Sequence, residues 1–113
     1  MATKIIKEAK INGYNIVVRE IRYDNLVIPI RYLCGYVEIP RNHPWHGVEF
    51  YDKPEDIIDI HGGITYSGDL KREGKWYLGF DCGHAFDNPE EQNLEYVLKE
   101  LEKLVEQAKE QEL

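Results

Sequence analysis

Asn88-Pro89-Glu90-Glu91-Gln92-Asn93-Leu94-Glu95-Tyr96-Val97-Leu98-Lys99-Glu100-Leu101-Glu102-Lys103-Leu104-Val105-Glu106-Gln107-Ala108 carries the best-specified helical signal in the sequence. Asn88 followed by Pro89 and an acid at Glu91 has the form of a capping box with proline at the first helical position. Leu94, Val97, Leu98, Leu101, Leu104, Val105 and Ala108 recur at three- and four-residue intervals and form one apolar stripe. The opposite face is rich in Glu and Lys, and its acidity argues against a membrane-surface helix. A stripe of this kind must be buried against a partner layer. The pattern therefore predicts a helix over residues 88–113 laid across whatever residues 1–87 build.

Those residues read as strands and loops. Ile5 to Ile11 and Tyr14 to Arg22 flank Asn12-Gly13, the pair that supplies the positive φ values of a two-residue type I′ hairpin turn. Leu26 to Ile30 is strand-like, and Pro29 places it at a sheet edge or ends it, because proline has no N–H for a ladder. Arg31 to Ile39 reads as a further strand, with Gly35 marking a bulge or a close approach. Pro40 to Gly47 is a loop. Asp52-Lys53-Pro54-Glu55 has the form of a helix start of at most one turn, and Ile57-Ile58-Asp59-Ile60 returns to strand-like composition. Ser67 to Lys75 is a hairpin loop and Trp76 to Phe80 a strand. The expected fold is α+β: an antiparallel sheet of about five or six strands with the long C-terminal helix packed on one face.

A chain of 113 residues is expected to form a single domain with one core. Its net charge of −7 is uneven: eight acidic and three basic residues from Asn88 onward give −5, which leaves −2 for Met1 to Asp87. No basic cluster offers phosphate neutralisation, so nucleic acid is disfavoured as a partner. No apolar run approaches the roughly 20 residues of a membrane span, and Met1 to Glu8 lacks a signal-peptide core. Cys34 and Cys82 form no CxxC pair and read as reduced, partly buried thiols. A cytoplasmic setting is expected.

All four histidines and both cysteines fall between Cys34 and Asp87. Three chemistries compete for them. A metal site could use His61, Asp81, His84 and Asp87, since Asp81-x-x-His84 and His84-x-x-Asp87 have the spacing of ligands that share one ion. His43-x-x-His46 has the same spacing but reads better as exposed loop histidines. No complete zinc signature is present. A ligand pocket would use Gly62 and Gly63 for close backbone approach, Tyr36, Trp45, Tyr66, Trp76 and Phe86 as stacking faces, and Asp81, His84 and Asp87 beside a helix N-terminus. Nucleophilic catalysis by Cys34 or Cys82 with a histidine is the third, and the weakest, because a lone thiol is more often buried and inert.

Cys34-Gly35-Tyr36-Val37, His43-Pro44-Trp45-x-Gly47, His61-Gly62-Gly63-Ile64-Thr65-Tyr66 and Gly79-Phe80-Asp81-Cys82-Gly83-His84-x-x-Asp87 together resemble a family of small uncharacterised proteins encoded mainly by tailed phages and prophages. The resemblance implies an accessory protein acting in a bacterial host cytoplasm and brings no catalytic assignment. With no full catalytic motif, the residues fit a non-enzymatic binder better than an enzyme. The leading expectation is sequestration of a small nucleotide-like signal, in the manner of proteins that counteract host defence. A metal-dependent hydrolase is the alternative, and an inhibitor of a host protein a further one. The ligand-binding set is Cys34, Tyr36, His61, Gly62, Gly63, Thr65, Tyr66, Trp76, Asp81, His84 and Asp87. Cys34, His61, Thr65, Asp81, His84 and Asp87 are expected to converge beside the start of the last helix. No organic cofactor is implied, and a metal ion is the one candidate cofactor. A homodimer through the helix or an edge strand is a further expectation.

Overall fold

A computed structural model describes residues 1–49 and 58–112 of the chain. The possible helix start at Asp52 to Glu55 lies outside the described residues.

The hairpin forms as its turn residues dictate. β1 (Ala2–Ile11) and β2 (Tyr14–Tyr23) pair antiparallel, with Ile11 opposite Tyr14 and a register shift between Ile5 and Lys7. Asn12 and Gly13 sit at φ +47° and +86°, the left-handed pair that a type I′ turn needs. β3 (Ile30–Ile39) lies beside β2, followed by β5 (Trp76–Asp81) and the three-residue edge strand β4 (Tyr66–Gly68). The sheet order is β1-β2-β3-β5-β4, antiparallel throughout. One helix, α1 (Leu94–Glu110), packs chiefly on β3 and also on β2. The α+β fold is as expected, with five strands among the described residues.

Period-two alternation divides the sheet into two unlike faces. Tyr14, Ile16, Val18, Val37, Ile39, Leu78 and Phe80 face the helix and meet Val97, Leu101, Leu104, Val105 and Ala108 of its stripe. Burying each of the larger aliphatic side chains stabilises the fold by about 1.5–3 kcal/mol. No second layer of regular structure covers the other face among the described residues. There a smaller cluster of Val17, Ile21, Cys34, Tyr36 and Tyr77 gathers, with Tyr23, Tyr32, Tyr66 and Leu70 at its margin. Each face carries one ring over a cross-strand glycine. Gly35 is no bulge but a close approach: a Cβ there would stand 2.8 Å from the Phe80 ring and 3.0 Å from Val97. On the other side the Tyr36 ring lies over Gly79.

Three sequence expectations need correction. Leu26 to Ile28 is a bend with exposed side chains, and β3 begins only at Ile30, after Pro29. Ile58 to Ile60 is not a strand: Ile58 and Ile60 enter the core, while the backbone of Asp59 bonds to the Gln107 side chain, accepting at 2.7 Å and donating at 2.7 Å. A helix side chain thus does the work of a neighbouring strand. The helix, finally, begins at Leu94 rather than Pro89. Asn88 does cap, accepting from Glu90 N–H at 2.8 Å, and Gln92 reaches back to the Asn88 N–H at 2.7 Å, but this closes a single turn. Asn93 then caps again, its side chain accepting from Tyr96 N–H at 3.0 Å, and the continuous helix starts there.

Candidate functional site

The expected single site is two sites, separated by strand parity. On β5, Trp76, Leu78 and Phe80 point to the helix, while Tyr77 and Asp81 point to the open face. Trp76 therefore leaves the set. It packs on the helix side with its ring centroid 6.3 Å from His46, and its buried indole N–H has no acceptor among the described residues.

The open-face site is built from one cross-strand row. Arg19 of β2 stands opposite Cys34 of β3, and Cys34 opposite Asp81 of β5, so a cation, a thiol and an acid lie side by side on one face. In the next row Val17, Tyr36, Gly79 and Tyr66 are aligned. Tyr36 and Tyr66 meet edge to face at 5.4 Å. Arg19 donates to the Tyr36 hydroxyl from Nε at 3.0 Å and from a terminal nitrogen at 2.6 Å. Arg19, Cys34, Tyr36, Tyr66 and Asp81, with Thr65, Tyr32 and Ile21, line a cavity of about 220 Å³. Burial pushes the Cys34 thiol up to about 11, which disfavours the thiolate that a nucleophile needs. Burial likewise raises Tyr36.

The second site lies at the helix-side margin, where three loop residues meet. His61 Nε2 is 2.9 Å from Asp87 Oδ1, and His84 Nδ1 is 3.3 Å from Asp87 Oδ2. The helix supports His61 from two positions on one face: Tyr96 hydroxyl lies 2.7 Å from His61 Nδ1, and Glu100 accepts the His61 backbone N–H at 2.9 Å. Glu100 is itself buried and paired with Lys103 at 3.3 Å. Although burial works to raise Asp87, the hydrogen bonds from His61 and from the His84 backbone hold its carboxyl below the usual range. Cys82 sits in the core nearby, where burial first and the Asp87 charge second push its thiol up to about 12. Asp81 stands between the two sites: it lines the open-face cavity, and its Oδ1 is 3.6 Å from His84 Nδ1.

Gly62 and Gly63 form the turn that brings His61 round, with Gly63 N–H donating to Ile60 oxygen at 3.0 Å. The His84 ring rests where a Cβ on Gly62 would stand. Gly62 thus seats a side chain, which is a different role from admitting a ligand, while a Cβ on Gly63 would meet nothing within 4 Å. Nor does the loop of His84 and Asp87 deliver a helix N-terminus, since the turn at 88–92 intervenes. His43 is also not an exposed loop residue. It is 6% exposed, its Nδ1 accepts from Trp45 N–H at 3.0 Å, and Nε2–H donates to Ala108 oxygen at 2.6 Å near the helix C-terminus. Both ring nitrogens are engaged, so His43-x-x-His46 is a structural pair. His46 Nδ1–H donates to Ile39 oxygen at 3.0 Å.

Sequence reasoning did not single out Arg19, Tyr96 and Glu100. Two of them left a signal: Arg19 alternates with Val17 and Ile21 on an apolar face, and Glu100 falls on the helix stripe between Val97 and Leu101. A larger cavity of about 440 Å³ lies between Tyr14, Pro40, Asn42, His43 and Glu112. Across it the Tyr14 hydroxyl donates to Glu112 at 2.6 Å, and it holds none of the expected site residues. No described helix is long and apolar enough to cross a membrane. Comparison with protein-family models, curated proteins and solved structures finds no match to this chain.

Proposed function

We propose that this chain is a non-enzymatic binder of a small nucleotide-like molecule, and that the sheet face opposite the C-terminal helix is where it binds. The observation that carries this reading is the meeting of Tyr32, Tyr36 and Tyr66 with Arg19 and Asp81 around one cavity on that face. Tyr36 is buried, but Tyr32 and Tyr66 are part-exposed, and no described element of regular structure covers them, which suits stacking of a planar ring. Asp81 and Thr65 supply acceptor and donor groups for the edge of a base, and Arg19 a cation for a phosphate. The cavity of about 220 Å³ is below the usual 300–1,000 Å³ of a drug-sized pocket. It takes one ring system, with sugar and phosphate lying along the sheet outside it. The family resemblance supports a bacterial cytoplasm as the setting, where such a binder would sequester a signal and counteract host defence.

The test is calorimetry against a panel of nucleoside phosphates, cyclic nucleotides and ADP-ribose, repeated with Tyr66→Ala and Arg19→Ala. At least one compound is expected to bind, with Tyr66→Ala weakening it by about tenfold, as loss of one stacking partner does. Absence of binding across the panel, or binding indifferent to both substitutions, sinks the reading. A second reading, an inhibitor of a host protein, is favoured by the apolar tip between β2 and β3, where Val27 and Ile28 are 103% and 77% exposed. Retention of a host protein by the wild type and its loss in Val27→Ser/Ile28→Ser would support that reading instead.

A further inference from the structure

We propose that His61, His84 and Asp87 bind one divalent transition-metal ion of the zinc class, at a site separate from the tyrosine face and independent of the nucleotide reading. The three side chains come from two loops that meet beside the helix, and no two of their ligand atoms are more than 4.8 Å apart. Ligands in a tetrahedral zinc site at 2.0–2.1 Å from the metal stand about 3.3 Å from one another. His61 Nε2 stands 2.9 Å from Asp87 Oδ1 and His84 Nδ1 3.3 Å from Asp87 Oδ2, so each imidazole is within a few tenths of an ångström of that spacing from one oxygen of the shared carboxylate. The His84 side chain is 39% exposed, so a small rotation can complete the set.

The surroundings of the three residues fit a metal centre in two further respects. The second nitrogen of His61 faces the Tyr96 hydroxyl at 2.7 Å, the kind of outer partner that orients a ligating imidazole. Local charge is also unbalanced. Asp81, Asp87 and Glu100 meet the cluster, against Lys103 as the cation among the described residues, so with neutral imidazoles the net charge is −2. A dication cancels it. Three protein ligands leave a coordination position for water or a ligand oxygen, the arrangement of an open site and not of a closed structural one.

The experiment uses tag-free protein stripped with chelator, titrated with Zn²⁺ by calorimetry and with Co²⁺ by visible absorption. One equivalent is expected to bind, with cobalt bands of low coordination number. His84→Ala, whose side chain is half in solvent and whose fold is checked by circular dichroism, should weaken binding by at least about tenfold. His61→Ala and Asp87→Asn should do the same, and Cys34→Ser should not. Nitrogen-15 spectra of the imidazoles give a second readout: Zn²⁺ should leave His61 with its proton on Nδ1, facing Tyr96. Failure to bind either ion at submillimolar concentration overturns the proposal, as does binding unchanged in both His61→Ala and His84→Ala.

Discussion

The imidazole of His84 lies against the Cα of Gly62, in the space a Cβ would take, and Gly62 holds φ +67°. One glycine thus closes the turn after His61 and seats the histidine that joins it at Asp87. Gly62→Ala should both strain the backbone, by about 1–2 kcal/mol, and push His84 out of reach of zinc. Gly63→Ala is the control: it has φ +79° but nothing within 4 Å of the added methyl. Both variants should melt at lower temperature, and only Gly62→Ala should lose zinc affinity. Equal zinc binding in the two would show that the His84 seat has no bearing on the metal.

His43 holds a loop to the helix end through both ring nitrogens, with Ala108 oxygen at 2.6 Å and Trp45 N–H at 3.0 Å. His43→Ala leaves these buried partners unsatisfied and should cost about 1–3 kcal/mol of stability. Denaturant unfolding measures the loss. Zinc and nucleotide titrations should be unchanged, and a fall in either would mean that His43 belongs to a site.

Cys34 and Tyr32 give the fold a one-sided pH dependence. Burial raises the thiol from 9.0 to about 11, with Asp81 adding to the shift and Tyr36 and Arg19 opposing it. Burial raises the Tyr32 phenol from 10.0 to about 12, with Cys34, Tyr23 and Asp81 adding to it. The unfolded chain therefore releases these protons first as pH rises, so the folded state binds more protons above about pH 9. The stability these neutral groups contribute is complete below that pH and is lost towards pH 11 to 12. Melting curves between pH 8 and 11 should show a steady decline that Cys34→Ser reduces. A Cys34→Ser variant declining as steeply as wild type would remove the thiol as a cause.

Most of the apolar stripe of the helix is buried within the protomer, which leaves little of it for a dimer surface. Of the sheet edges described, β4 has three residues, and β1 carries Lys4, Lys7 and Lys10 with a register shift after Ile5. Lysines and irregularities of this kind discourage edge pairing. Sedimentation at micromolar concentration should return a monomer. A dimer that dissociates in Ile5→Lys would instead assign β1 as the interface.

The hairpin at Asn12-Gly13 and the stripe from Leu94 to Ala108 were legible because local chemistry fixes them. The helix start was not, because Asn88 and Asn93 are both competent caps and the fold uses Asn88 only for one turn. The site was half legible. His61, His84 and Asp87 do converge, but Cys34, Tyr36, Thr65 and Tyr66 belong to the opposite face of the sheet. Sequence order marks these residues as neighbours without fixing which face each one takes. Arg19 was hidden for another reason: its partner row, Arg19–Cys34–Asp81, exists only once three strands are in register.

The most direct measurement is a nuclear magnetic resonance titration of labelled protein with a nucleotide that binds in the panel. Shift changes are expected to cluster at Arg19, Cys34, Tyr36, Thr65, Tyr66 and Asp81, and to spare Leu26 to Ile28 and the loop of His43. Changes confined to those spared segments, or none at saturating ligand, would contradict the placement of the binding site on the tyrosine face.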